Sequence, residues 1–303
     1  MAHGLDHAVH AVRDLDAAVA LYRKLGFTVG ARNRHPWGTH NHIVQLPGFF
    51  VELLTLAEPD KLGDDGFSTL FAGYARDFAA RHDGLALLIL ESADAMADRT
   101  GYRAANIAAS DTMRFEREGQ GPDGAPVKVG FSLSFAADPL SPEIHFATCQ
   151  QHFPDNFWNP AFQSHGNGVS AIAGVVLVAE EPEKHLDFLM AFSGGGPVGP
   201  AGEGGYSIGL PRGVIDVMVP GEYARRFGLA GPAPGDGARM AALRFACRDM
   251  AALKAAVRHS GLTLATAGDL PAPAGGAVLN ADSGTVALPA FGAALVFEPD
   301  FVG

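Results

Sequence analysis

Cysteine is almost missing from this 303-residue sequence, with Cys149 and Cys247 as the two examples. Two thiols that far apart make neither a disulfide framework nor a CxxC zinc site, and they are expected to be reduced thiols of a cytoplasmic protein. Basic residues are also scarce. Lys and Arg number 22 against 33 Asp and Glu, and the net charge of −11 argues against a nucleic-acid partner, which needs a basic face. No apolar run approaches the roughly 18–20 residues of a membrane span. The opening residues Met1 to His7 lack a basic segment followed by an apolar one, so no secretory signal is expected. No GxSxG occurs, and no Cys–His or Ser–His–Asp arrangement is supported by spacing.

What is present points to a turn-rich globular protein. Hydrophobic residues make up 48% and charged residues 18%, with 38 Gly and 20 Pro, a balance that suits short strands better than long helical bundles. The length accommodates two ordinary domains. One local pattern recurs four times. Leu5 to Val12 reads as a strand, followed by a helix from Leu15 to Leu25 that Asp14 caps and Gly26 closes. An Asp at the N-cap accepts bonds from free N–H groups of the first turn, and Gly tolerates the left-handed conformation at the end. Leu85 to Leu90 repeats the strand, with Ser92 as cap and Gly101 as stop. Ala171 to Val178 repeats it again, before Glu181-Pro182 and a stop at Gly194, and Met240 to Cys247 gives the fourth, with Asp249 and Gly261.

Strand-like segments follow each helix. They are Phe27 to Arg32, His42 to Leu46 and Phe49 to Leu56 in the first unit, and Met113 to Glu118, Val127 to Phe135 and Glu143 to Thr148 in the second. The third offers Gly205 to Leu210 and Val214 to Val219; the fourth offers Ala277 to Ala281, Val286 to Pro289 and Ala294 to Glu298. Gly- and Pro-bearing turns separate them. The junctions at Asp14, Ser92, Glu181 and Asp249 are too unevenly spaced for a solenoid. Each unit is therefore expected to be βαβββ, and the class α+β: four modules forming two pairs around shared clefts. The expected division is 1–150 and 169–303, joined by a packed, aromatic connector at 151–168. Gly194 to Gly205 follows a helix instead of opening one, so it is expected to be a flexible connection and not a phosphate loop.

With these modules in place, the chain resembles the vicinal oxygen chelate superfamily, and in particular its glyoxalase-like members. Leu5-Asp6-His7, Asp14-Leu15-Asp16-Ala17-Ala18, Leu25-Gly26-Phe27, the loop His35 to Asn41 and Phe50-Val51-Glu52-Leu53-Leu54 carry the resemblance. It implies metal ligands on the first and last strands of a module, where His7 and Glu52 stand, with His145 offered by module two. It leaves open whether module one pairs with two or with four; in the latter case Glu298 replaces His145. Leu85, Gly174 and Ala242 stand where the other modules would place a first-strand ligand, and Asp216 and Val296 stand at the later last-strand positions.

The function implied is a divalent-metal enzyme of lyase or isomerase type acting on a small oxygen-bearing substrate. Zn, Ni, Mn and Fe are not distinguishable. The alternatives are a metal-independent protein that sequesters a small molecule, as resistance-type relatives do, and an iron-dependent dioxygenase. His42 and His40 are the candidate proton movers, and His35, Trp37, Thr39 and Asn41 the candidate substrate-binding loop. A partner arginine for Glu52, such as Arg32 or Arg34, is the structural alternative to metal binding. Nine of the twelve histidines precede residue 153, which directs attention to the N-terminal half. Expected partners are a small-molecule substrate and, optionally, a second copy of the chain, with no nucleic acid and no membrane.

Overall fold

The computed structural model describes residues 2–120, 126–232, 237–266 and 283–300. Module one runs β1 (Leu5–Ala11), α1 (Leu15–Lys24), β2 (Asn33–Arg34), β3 (Thr39–Leu46) and β4 (Phe49–Leu56). An insertion follows, a π-helical segment Phe67–Gly73 that continues into α2 (Tyr74–Arg81). Module two is β5 (Gly84–Glu91), α3 (Ala95–Ala104), β6 (Met113–Gln120), β7 (Pro126–Ala136) and β8 (His145–Gln151), and α4 (Pro154–Phe157) lies in the connector. Module three is β9 (Val169–Val178), α5 (Leu186–Ser193), β10 (Val198–Pro200), β11 (Tyr206–Gly209) and β12 (Val214–Met218). After α6 (Pro220–Phe227), module four is β13 (Arg239–Cys247), α7 (Met250–Ser260), β14 (Leu264–Thr266), β15 (Gly284–Leu288) and β16 (Ala293–Pro299).

In every module the first strand pairs in parallel with the last: β1 with β4, β5 with β8, β9 with β12 and β13 with β16. Modules one and two join through antiparallel β1 and β5, modules three and four through β9 and β13. The two resulting eight-stranded units meet at one residue pair, Met240 with Leu85. Module one therefore pairs with module two. The first unit curls until its outermost strands touch: Arg117 of β6 donates to Asn33 of β2 at 3.2 Å. The architecture is α+β with four βαβββ modules in two paired, curled mixed sheets.

Helices α1, α3, α5 and α7 cover the outer faces and join the two units into one apolar core, while α2 and α6 pack inside the curls. Tyr22 and Phe27 beside α1 meet Phe245 and Phe297 of module four, with Phe27 and Phe245 centroids 5.7 Å apart. Capping chemistry sets the helix ends. Asp14 accepts from Ala17 N–H, and Asp249 accepts from Ala251 and Ala252. Gly194 and Gly261 close α5 and α7 at φ 73° and 79°, a conformation that costs a residue with a Cβ.

Several local expectations are corrected. Asp94, not Ser92, caps α3, accepting from Met96 and Ala97 N–H at 3.0 Å each, while Ser92 Oγ donates to Asp98. Gly101 lies inside α3, which ends near Asn106 at φ 58°. Residues 27–32 are not a strand; the segment after α1 pairs only at Asn33–Arg34. The glycine-rich stretch after α5 holds a short strand, β10, paired with β11. The expected strand Ala277 to Ala281 lies outside the described residues.

Candidate active site in the N-terminal cup

The inner face of the first curl holds a buried polar group built around one strand irregularity. The β1–β5 register passes from Leu5–Leu90 to His7–Ile89, leaving Asp6 as an extra residue in a β-bulge. A bulge re-aims side chains that regular alternation would send to opposite faces. Asp6 and His7 accordingly lie side by side, both buried, with His7 Nδ1 donating to Asp6 Oδ2 at 2.5 Å. The other Asp6 oxygen accepts from Gln151 Nε2 at 3.0 Å. The bond fixes the tautomer and leaves Nε2 as the free acceptor; among the described residues it makes no hydrogen bond. The imidazole stacks on Phe50 with centroids 4.2 Å apart.

Glu52 sits on β4, opposite Val9 and diagonal to His7. It is 4% exposed. Asn41 Nδ2 donates to it, Asn33 Nδ2 donates to Asn41 Oδ1 at 3.0 Å, and Arg117 donates to Asn33. Burial raises the Glu52 carboxyl above its ordinary range, although His7, the Asn41 bond and Arg117 pull the other way. The nearby Cys149 thiol is pushed up by burial and then by Asp6 and Glu52, so it offers no thiolate.

A folded-state value above the unfolded one gives stability below the unfolded value that is lost as pH rises through the folded value. Glu52→Gln keeps the acceptor for Asn41 and removes that loss. Its thermal midpoint is expected to exceed that of the wild type by a margin that widens as the pH rises from acidic to alkaline. A margin independent of pH contradicts the assignment.

The expected metal set does not converge. With Asp94 as the cap, the module-two equivalent of His7 is Leu87 and not Leu85. The registers His7–Phe50 and Val9–Glu52 correspond to Leu87–His145 and Ile89–Ala147. His145 thus occupies the position of Phe50, and Ala147 that of Glu52. His145 Nδ1 donates to Leu70 O at 3.0 Å, and its ring stacks on Tyr74 at 3.5 Å. No group of three or more His, Cys, Asp or Glu among the described residues is placed to hold a metal ion. A zinc-type site takes three or four protein ligands, and here His7 and Glu52 are two donors whose module-two counterparts are a leucine and an alanine.

Of the candidate loop, Asn41 alone bonds to the polar group. His35, Trp37 and Thr39 form a closed unit. The Thr39 hydroxyl accepts from Trp37 Nε1 and bonds His35 Nδ1, both at 2.8 Å, and the two rings stack at 4.8 Å. His40 and His42 flank Asn41 and point to the opposite face of β3, where His40 donates to Glu58 at 2.9 Å and His42 to Gly30 O at 2.8 Å. They are not positioned to move a proton at Glu52. Neither anticipated arginine bonds Glu52: Arg32 pairs with Asp16, and Arg117 acts on Glu52 only as a charge from the far edge of the curl, linked to it through Asn33 and Asn41. Asp6, Arg117 and Gln151 are the site residues that sequence reading missed. A carboxylate in the apolar run from Leu5 to Val12 was the one local signal for Asp6.

The equivalent positions of the C-terminal curl hold no such group. Gly174, Ala242 and Val296 are bare, and Asp216 is clamped by Arg244, which also holds Glu298 through two bonds of 2.8 and 2.9 Å. Tyr223 and Phe227 of α6 pack into that curl against Val176, Met218, Ala242 and Val296.

Two two-module units, each with its first strands paired, define a vicinal-oxygen-chelate-type fold. Residues 5–191 match the family model described as a Glyoxalase-like domain, and the chain belongs to that family. No curated protein matches it at a significant level. Among solved structures, a hypothetical protein from Staphylococcus aureus is similar over 98% of this chain and 99% of its own, at 12% identity and a TM-score of 0.63. A mutant 4-hydroxymandelate synthase from Streptomyces coelicolor is similar over 98% and 92%, at 10% identity and 0.55. A xylose isomerase-like TIM barrel/4-hydroxyphenylpyruvate dioxygenase fusion protein is similar over all of this chain and 50% of its own, at 15% identity and 0.57. These likenesses are of fold. Among the described residues no helix is long and apolar enough to cross a membrane.

Proposed function

We propose that the N-terminal cup binds a small planar molecule with adjacent oxygens and moves a proton on it, in isomerase- or lyase-type chemistry without a resident metal. The observation that carries this reading is the Asp6–His7 pair set beside the buried carboxyl of Glu52, whose proton affinity is raised by burial. His7 Nε2 takes a proton from carbon. Asp6 keeps the imidazole in the required tautomer and stabilises the imidazolium that forms. In its neutral form, which burial favours, Glu52 donates to the oxygen on which negative charge develops, and Arg117 adds positive potential from the opposite rim. Phe50, with Phe157 at 5.1 Å and Trp158 at 6.0 Å, offers a flat apolar wall for a ring.

A second reading, binding without turnover, is favoured by Leu87 and Ala147, which leave half of the symmetric polar positions apolar. The dioxygenase reading has less support, because the C-terminal curl presents an arginine-clamped aspartate and a helix in place of open ligands. Phenylpyruvate, which joins a ring to adjacent oxygens, separates the first two readings. In D2O, followed by proton NMR, the wild type is expected to accelerate loss of the benzylic proton signal over buffer. His7→Ala is expected to lose that acceleration by a factor of ~100 or more, the usual worth of a positioned base. Saturable binding with no acceleration selects the second reading. Equal acceleration in wild type and His7→Ala refutes the assignment of His7.

A further inference from the structure

A second cavity lies away from the cup, at the seam where the two eight-stranded units meet. It has a volume of about 350 Å³, at the lower end of the ~300–1,000 Å³ typical of small-molecule sites. The first unit contributes Phe78 and Leu85, the second Tyr223, Leu229, Ala241 and Pro289, so the walls are largely apolar. The cavity straddles the single strand contact between the units, Met240 with Leu85.

The charges around it are unevenly satisfied. Glu143 is held by Arg81 at 3.1 Å and His82 at 3.0 Å, and Asp83 by Arg13 at 2.6 Å. Arg239, at the start of β13, lines the same cavity. Its Nε is buried without an acceptor, and among the described residues it makes no ion pair within 4.0 Å, its charge acting on Glu143 across the cavity without a direct contact. A partly buried guanidinium with an unmet N–H loses hydration without a compensating bond. The terminal N–H groups of Arg239, which are not shut off as Nε is, are the ones that meet an incoming carboxylate in the forked geometry that arginine favours.

We propose that this seam is a binding site for a small carboxylic acid with an apolar body, the carboxylate on Arg239 and the body against Phe78, Leu85 and Leu229. Because its walls come from both units, the ligand braces the seam, and binding raises the thermal midpoint with the logarithm of ligand concentration above the dissociation constant. The site is independent of the chemistry proposed for the cup.

The test is calorimetric titration of the full chain with hexanoate and with phenylacetate, alongside their uncharged amides. The expected result is saturable binding of at least one carboxylate tighter than ~1 mM, with the amides at least tenfold weaker. Arg239→Gln is expected to weaken the carboxylate tenfold or more. Ala230→Phe, at an exposed rim position, blocks entry without touching the core and gives the same loss if Arg239→Gln fails to fold. His7→Ala is expected to bind as the wild type does. Absence of saturable binding, unchanged affinity in Arg239→Gln or Ala230→Phe, or loss of binding in His7→Ala each overturns the proposal.

Discussion

Trp37→Ala is expected to lower the free energy of unfolding by about 3–5 kcal/mol, the range for truncating a buried aromatic side chain. Trp37 is 8% exposed. Its ring stacks on Phe67 at 4.7 Å and an interplanar angle of 4°, and meets Phe115 edge-on at 4.9 Å. The indole N–H is spent on Thr39, so truncation removes a hydrogen bond together with four ring contacts, to His35, Phe67, Phe71 and Phe115. Phe67 belongs to the insertion, Phe115 to β6 and Trp37 to the loop before β3, so one side chain ties three segments over the inner face. Trp37→Phe is expected to recover more than half of the loss by restoring the stack without the bond. Urea unfolding of the three proteins measures this. A loss below about 1 kcal/mol, which is typical of exposed positions, would show that the loop is an open lid instead of a closed plug.

Stability is expected to fall by about 4 kcal/mol between mildly alkaline conditions and about pH 5 through His35 and His145, at about 2 kcal/mol each. Burial lowers His145 to about 4, and burial, with Arg117 and His40 behind it, lowers His35 to about 3. In the unfolded chain both titrate near 6.5. A group whose folded value is depressed contributes stability above its unfolded value and loses it as pH falls toward the folded one. The window therefore runs from about 6.5 down to about 3. His10 shifts in the same direction for the same leading reason. His145→Phe preserves the stack on Tyr74, and His35→Phe the stack on Trp37. Each is expected to remove about half of the pH-dependent loss from the two histidines, read as the slope of unfolding free energy against pH. An unchanged slope in both variants would mean that neither imidazole stays neutral in the folded protein.

The fold was legible because its punctuation is chemical. Asp14, Asp249, Gly194 and Gly261 act through their own side chains or lack of one, so their places follow from sequence alone. The misplacement at α3 arose because Ser92 and Asp94 are both competent caps two residues apart, and Asp98 draws the Ser92 hydroxyl away. That shift matters for the site. It moves the module-two counterpart of His7 from Leu85 to Leu87 and carries His145 out of register with Glu52. The insertion that supplies Phe67, Phe71 and Tyr74 has its counterpart in α6 between modules three and four, but the two segments differ in length and sequence, so no repeat signal marks them.

The site itself was half legible. Glu52 stood out as a carboxylate in an apolar strand, His7 was named as a metal ligand and Asn41 as part of a binding loop, and the three residues lie in one buried group. What sequence could not give were two nonlocal facts. The bulge that turns Asp6 toward His7 depends on the pairing of β1 with β5, and Arg117 reaches Asn33 only because the sheet curls on itself. His40 and His42 show the converse. Alternation placed them on one face together, but which face is inner depends on the partner strand.

Metal content measures the central claim most directly. The full chain, incubated in turn with Zn, Ni, Mn and ferrous ions and then freed of excess by gel filtration, is analysed for bound metal beside His7→Ala and Glu52→Gln. Two donors whose module-two counterparts are Leu87 and Ala147 predict substoichiometric metal in all three proteins, with no difference among them. One ion per chain in the wild type, lost in His7→Ala, would contradict the acid–base site and restore a metal centre to the cup.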